Sequence, residues 1–119
     1  MYCSRQGDVI IKKVNGVKGK KKDGLILALG EITGHRHKLV CEENDATLYE
    51  ENGVLYLHVE AEEAWLYHGT DEQIKRQVYG ESFDYVKEDC HKPQTLPKGD
   101  FEITIQRTYT PQGWERVSD

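Results

Sequence analysis

Two imidazoles stand one residue apart in the run GEITGHRHKL, residues 30–39. On a strand, residues i and i+2 face the same side, so His35 and His37 would share a face while Arg36 takes the other. Two neutral imidazoles on one face can ligate a metal. They can equally serve as a general acid and a general base. The plain alternative is the polar face of a half-exposed strand. Gly30 and Gly34 flank the pair and would let backbone or a ligand come close.

A third candidate is His91, on an irregular stretch a few residues ahead of LPKG, residues 96–99. Pro97 and Gly99 read as a tight turn before a strand. In QRTYTP, residues 106–111, alternation puts Arg107 and Tyr109 on the face of Phe101, Ile103 and Ile105. An arginine on an apolar face needs an anion, either a carboxylate of this chain or a phosphate. His58 alternates with Val54 and Tyr56 and reads as a partly buried structural residue; His68, at the end of AWLYH, could approach either candidate site. The chain has no P-loop, GxGxxG, HExxH, GxSxG or EF-hand loop.

These residues need a scaffold, and short alternating runs supply one. GDVIIKKV (7–14), LILALGEI (25–32), HKLVCEE (37–43), AWLYH (64–68) and DFEITIQRTYT (100–110) read as strands. TLYEENGVLYLHVE (47–60) reads as a hairpin around Asn52-Gly53, a type I′ turn dipeptide. The lysine-rich NGVKGKKKDG reads as a loop. TDEQIKRQVYG has an N-capping threonine, early acids, later cations and a closing glycine, the signal of a short helix, with a polar loop as the alternative, inside an insertion over residues 69–92. The expected fold is all-β, a small barrel or sandwich, with residues 1–119 as one domain.

The composition narrows the setting. No run approaches a membrane span, and the first residues lack the apolar core of a signal peptide, so the expected location is cytoplasmic. Cys3, Cys41 and Cys90 are odd in number and lack CxxC spacing, which predicts free thiols. The net charge of −5 is uneven. Residues 1–40 hold nine Lys/Arg against three Asp/Glu, and residues 41–119 hold seven against eighteen. A basic front end on an acidic protein can draw phosphates; a solvated lysine turn is the alternative.

Taken together, RQGDVII, GEITGHRHKL, VLYLHVE, LPKGDFEITIQRTYTP and RVSD resemble a family of small phage and bacterial proteins, end to end apart from residues 69–90. Most of that family carries no assigned function. The chain is also associated, by resemblance, with small ring nucleases of type III CRISPR defence, which degrade cyclic oligoadenylate messengers. That resemblance implies a phosphodiesterase acting on a cyclic oligonucleotide, without metal or other cofactor, membrane or duplex DNA. The chemistry asks for proton transfer and a cation on the phosphorane. His35 and His37 are the expected acid–base pair, with Arg107 as the catalytic cation. Arg5, Gln6, Lys12, Arg36 and His91 would contact the substrate, and Tyr109 would stack a base. A symmetric ring suits a homodimer. A second expectation is similarity to cupins, with His35, His37 and His91 on a divalent metal; the histidine that should follow the PxG turn is replaced by DFEIT. A third is a non-catalytic interaction protein.

Overall fold

The computed structural model describes residues 3–30, 34–80, 82–110 and 113–116, the last four and 107–110 by backbone alone. The elements are β1 (Cys3–Gln6), β2 (Val9–Val14), β3 (Lys20–Lys22), β4 (Ile26–Leu29), β5 (Arg36–Val40), β6 (Ala46–Glu51), β7 (Val54–Gly69), α1 (Asp71–Val78), β8 (Gln94–Ile105), β9 (Arg107–Thr110) and β10 (Gly113–Arg116). The protein is mainly β, as the alternation predicts. β1 to β8 form one eight-stranded antiparallel sheet, and β9 pairs with β10 separately. No helix among the described residues is long and apolar enough to cross a membrane.

The sheet is not closed into a barrel, which corrects one of the two expected architectures. Its main path runs β1-β2-β8-β7-β5-β4, and the β6–β3 pair joins at β7. β7 is the spine. Along one edge it pairs with β8; along the other it pairs first with β6 and then with β5.

Residues 54–69 form one strand where the sequence suggests two, and the reason lies in its middle. Pairing with β8 shifts register between Val59 and Glu63. There the backbone N–H groups of Glu60 and Ala61 both donate to the Asp45 carbonyl, at 2.8 and 3.2 Å. This is a bulge, and it changes the phase of the strand. Leu57 and Val59 point inward before it; Ala64, Leu66 and His68 point inward after it. Odd positions face the core on one side and even positions on the other. β8 makes the matching switch, from Leu96 to Phe101 and Ile103. Pro97 and Gly99 therefore stand inside β8, across from Glu63 and Val59, and do not form the expected turn. A proline in a sheet is tolerated where the ladder is already broken.

The bulge lets both halves share one core. Leu48, Leu57, Val59, Phe101 and Ile103 join Leu27, Leu39, Leu66 and Leu96 in a single apolar cluster. Each such side chain contributes about 1.5–3 kcal/mol on burial. The Asn52-Gly53 turn has both φ angles positive, 51° and 80°, as type I′ requires. Lys20–Lys22, expected in a loop, pairs with the acidic edge of β6, and Lys22 Nζ lies 3.5 Å from Glu50 Oε2. The strand expected over 25–32 is observed at Ile26–Leu29, and its end lies outside the described residues.

The predicted helix forms inside the 69–92 stretch. Thr70 Oγ1 accepts from the Gln73 backbone N–H, while Gln73 Oε1 accepts from the Thr70 N–H, closing a capping box. Asp71 and Glu72 in the first turn suit the helix dipole. The helix is pinned to the end of β7, because Gln77 Nε2 donates to the His68 carbonyl at 3.0 Å.

Candidate functional site

The second phase of β7 turns His68 inward, directly opposite His37 on β5. Without the bulge, Tyr67 would take that place. The His37 and His68 rings are 4.5 Å apart between centroids. His35, just ahead of β5, places its ring 5.2 Å from His68, and His91 places its ring 4.9 Å away on another side. Three of the other four histidines thus gather around His68. His37 and His68 are fully buried, His35 nearly so, and His91 is partly exposed.

Each histidine is held by identifiable neighbours. Gly34 has φ 83°, a left-handed turn that delivers the chain to His35. The Gly30 N–H donates to the His35 carbonyl at 2.8 Å. The segment carrying His91 is tied to α1 by Arg76, whose Nη1 donates to Glu88 Oε2 at 2.9 Å and whose Nη2 bonds the other carboxylate oxygen. That guanidinium holds the Glu88 carboxyl below its ordinary range. Cys90 follows, buried, with its Sγ close to Gly69; a β-carbon at Gly69 would stand 3.1 Å from that sulfur.

The hydrogen bonds fix two tautomers. Gln6 Nε2 donates to the carbonyls of Leu66 and Lys92, at 3.0 and 3.1 Å. Its Oε1 therefore faces His37 Nδ1 at 2.9 Å, so that nitrogen carries the proton. His37 Nε2 is turned towards Asp8 Oδ1 at 3.8 Å, with both side chains fully buried. At His68 the order is reversed. Its Nδ1 accepts from the backbone N–H of His91 at 3.0 Å, so the neutral ring carries its proton on Nε2.

Burial, then the neighbouring imidazoles of His37, His91 and His35, push His68 down to about 3. It is neutral at ordinary pH, the form that ligates metals. Burial, then Glu88 and Asp89, push the Cys90 thiol up to about 11, so it is inert as a free nucleophile. One nitrogen each from His35 and His68 and the sulfur of Cys90 lie within 4.8 Å of one another.

An open cleft of about 450 Å³ adjoins the cluster. Arg5, Gln6, His91, Lys92 and Gln94 line it. Of the four clustered histidines, His91 is the one that reaches this surface.

The expected site residues separate into two groups. His35, His37, Gln6, His91 and Arg5 meet at the cluster or its cleft. Gln6 is buried with its amide spent on Leu66, Lys92 and His37, so it positions these groups instead of standing ready for a phosphate. Arg36 faces away, where its Nη1 lies 3.4 Å from Asp71 at the start of α1. Lys12 is exposed on β2 across from Glu102 and does not line the cleft. Arg107 and Tyr109 stand on β9, and their side chains lie outside the described residues. Sequence reasoning passed over Asp8, which looks like an ordinary turn residue after Gly7, and read Cys90 as a bystander thiol. Only the fold brings both to the histidines.

A family described as a domain of unknown function (DUF8820) matches residues 5–106. The chain belongs to the DUF8820 family. The match includes all four clustered histidines, Asp8 and Cys90 of this DUF8820 chain. No curated protein and no solved structure matches it.

Proposed function

We propose that the histidine cluster is a centre for a divalent transition metal of the zinc class, with His35, His68 and Cys90 as the first ligands. The observation that carries this reading is the convergence of two imidazole nitrogens and a thiol sulfur within 4.8 Å in a buried site. Imidazole with thiolate is the donor set that suits zinc and its neighbours. His37 and Asp8 supply a further nitrogen and a carboxylate at the same cluster, and Gln6 orients His37 as outer partners orient metal-bound histidines.

Ligation has a proton cost here. Cys90 must lose its proton, and His68, already neutral, must give up the bond that its Nδ1 accepts from the His91 N–H. Metal binding therefore releases protons and strengthens as pH rises. The test is anaerobic titration with cobalt(II), with absorption reporting thiolate ligation. A stoichiometric site of one ion per chain is expected, with tighter binding at pH 8 than at pH 6, and loss of the thiolate band in Cys90→Ser. Zinc at a hundredfold excess over Kd should stabilise the fold by about 2.7 kcal/mol in thermal melts. Absence of stoichiometric binding, or an unshifted melt, rejects the centre.

A second reading is the metal-independent phosphodiesterase, acting on a cyclic oligoadenylate, with a homodimer around the ring. The cleft favours it, since Arg5 and Lys92 stand beside an imidazole there. His35 and His37 would then act from behind His91. Incubation with cyclic oligoadenylates separates the two: cleavage that survives EDTA supports the second reading, and cleavage restored only by a divalent ion supports a metal-dependent one.

A further inference from the structure

We propose that the cleft beside the cluster is a binding site for a phosphate group, presented to the centre across His91. The inference rests on the cluster being the functional centre, and it adds the class of ligand.

The charge of the lining carries the argument. The chain holds 21 Asp/Glu against 16 Lys/Arg, yet the cleft is lined by Arg5, Lys92 and His91 with no carboxylate among its described residues. Acids outnumber cations over the whole chain, so a lining with cations and no acid sets this surface apart. A concave cationic patch focuses potential on an anion.

The Arg5 side chain and the backbone of Lys92 are also held in place. Arg5 Nε donates to the Gly7 carbonyl at 2.7 Å, which fixes the guanidinium plane and leaves its terminal nitrogens for a ligand. The Arg5 carbonyl accepts from Gln94 Nε2, and Gln94 Oε1 accepts from Ser4 Oγ at 2.6 Å. The backbone of Lys92 is held by Gln6. Ordering these groups in the free protein lowers the entropy lost on binding.

Gln6 links the cleft to the centre. One amide holds the carbonyls of Leu66 and Lys92 and the Nδ1–H of His37. The His91 N–H holds His68 while His91 also lines the cleft. An anion between Arg5 and Lys92 therefore sits against His91, one residue removed from the buried rings. Two cations on separate segments with an imidazole suit the several oxygens of a tetrahedral phosphate better than one planar carboxylate. The volume admits a nucleotide-sized ligand.

The probes are inorganic phosphate, adenosine 5′-monophosphate and acetate, measured by calorimetry on the full chain. Phosphate and the nucleotide should bind, more weakly as salt is raised. Arg5→Gln and Lys92→Gln should each weaken binding by about tenfold or more, the loss expected for one charge-assisted hydrogen bond. Both variants should bind cobalt(II) like the parent chain, because neither residue belongs to the centre. Absence of phosphate binding, binding in both variants as tight as in the parent chain, or acetate binding as tight as phosphate overturns the proposal. Loss of phosphate binding with cobalt retained in the parent chain sinks the cleft alone; loss of cobalt with phosphate retained sinks the metal centre alone.

Discussion

At the residue scale, Gln6 is the side chain on which the site turns. It is 1% exposed and makes three hydrogen bonds, to Leu66, Lys92 and His37. A buried donor or acceptor left without its partner costs about 1–3 kcal/mol. Gln6→Ala strands two carbonyls and an imidazole N–H and opens a cavity as well. It should lower the unfolding free energy by roughly 2–4 kcal/mol in urea titrations. A loss under about half a kcal/mol would place Gln6 outside the supporting framework. Its type was legible as polar and close to the basic front end. Its role was not, because a sequence does not tell which carbonyls will face an amide.

At the element scale, the β7–β8 pair decides which residues meet. His58 on β7 stands opposite Asp100 on β8, with Nδ1 2.5 Å from Asp100 Oδ1 and Nε2 2.9 Å from Glu60 Oε2. The hydrogen bonds to Asp100 and Glu60 raise the His58 pKa above its ordinary value. The folded state then holds this proton more tightly than the unfolded chain. The stabilisation is complete below the unfolded value of about 6.5 and fades as pH rises through the raised folded value. His58→Asn should therefore destabilise the protein at pH 5.5 and much less at pH 9, by under about 1 kcal/mol because solvent screens the pair. Equal losses at both pH values would show that the ion pairs do not link these strands.

At the scale of the whole molecule, the buried cluster sets the acid limb of stability. His68 is fully buried, and its pKa is pushed down to about 3 by burial and the surrounding imidazoles. Between about pH 6.5 and 3 the unfolded chain takes up a proton that the folded one refuses. Stability should fall with pH across that window, at up to about 1.4 kcal/mol per unit for this residue. Thermal melts in EDTA should show this decline, and His68→Asn should flatten it. A flat profile between pH 7 and 4 in the parent chain, or an equally steep one in the variant, would contradict the assignment. The acid limb and the readiness of the imidazoles to ligate a metal share one cause, since both rest on neutral imidazoles packed together.

What the sequence determined by itself were the features encoded within a few residues of one another. Period-two alternation marked the strands, Asn52-Gly53 marked its hairpin, and Thr70 with the acids that follow it marked the helix start, because these signals are local backbone chemistry. The spacing of His35 and His37 marked a candidate pair for the same reason. Tertiary structure alone decided the rest. The phase change at Glu60–Glu63 turns His68 inward, and that change depends on Asp45 accepting two N–H groups from a strand met only after the chain folds back. Pro97 and Gly99 looked like a turn because their local preference favours one; pairing with β7 across the bulge overrode it. Lys20–Lys22 became a strand because β6 offered a partner. Asp8 and Cys90 joined the histidines from opposite ends of the chain, a juxtaposition set by strand order and register, which no short stretch of sequence contains.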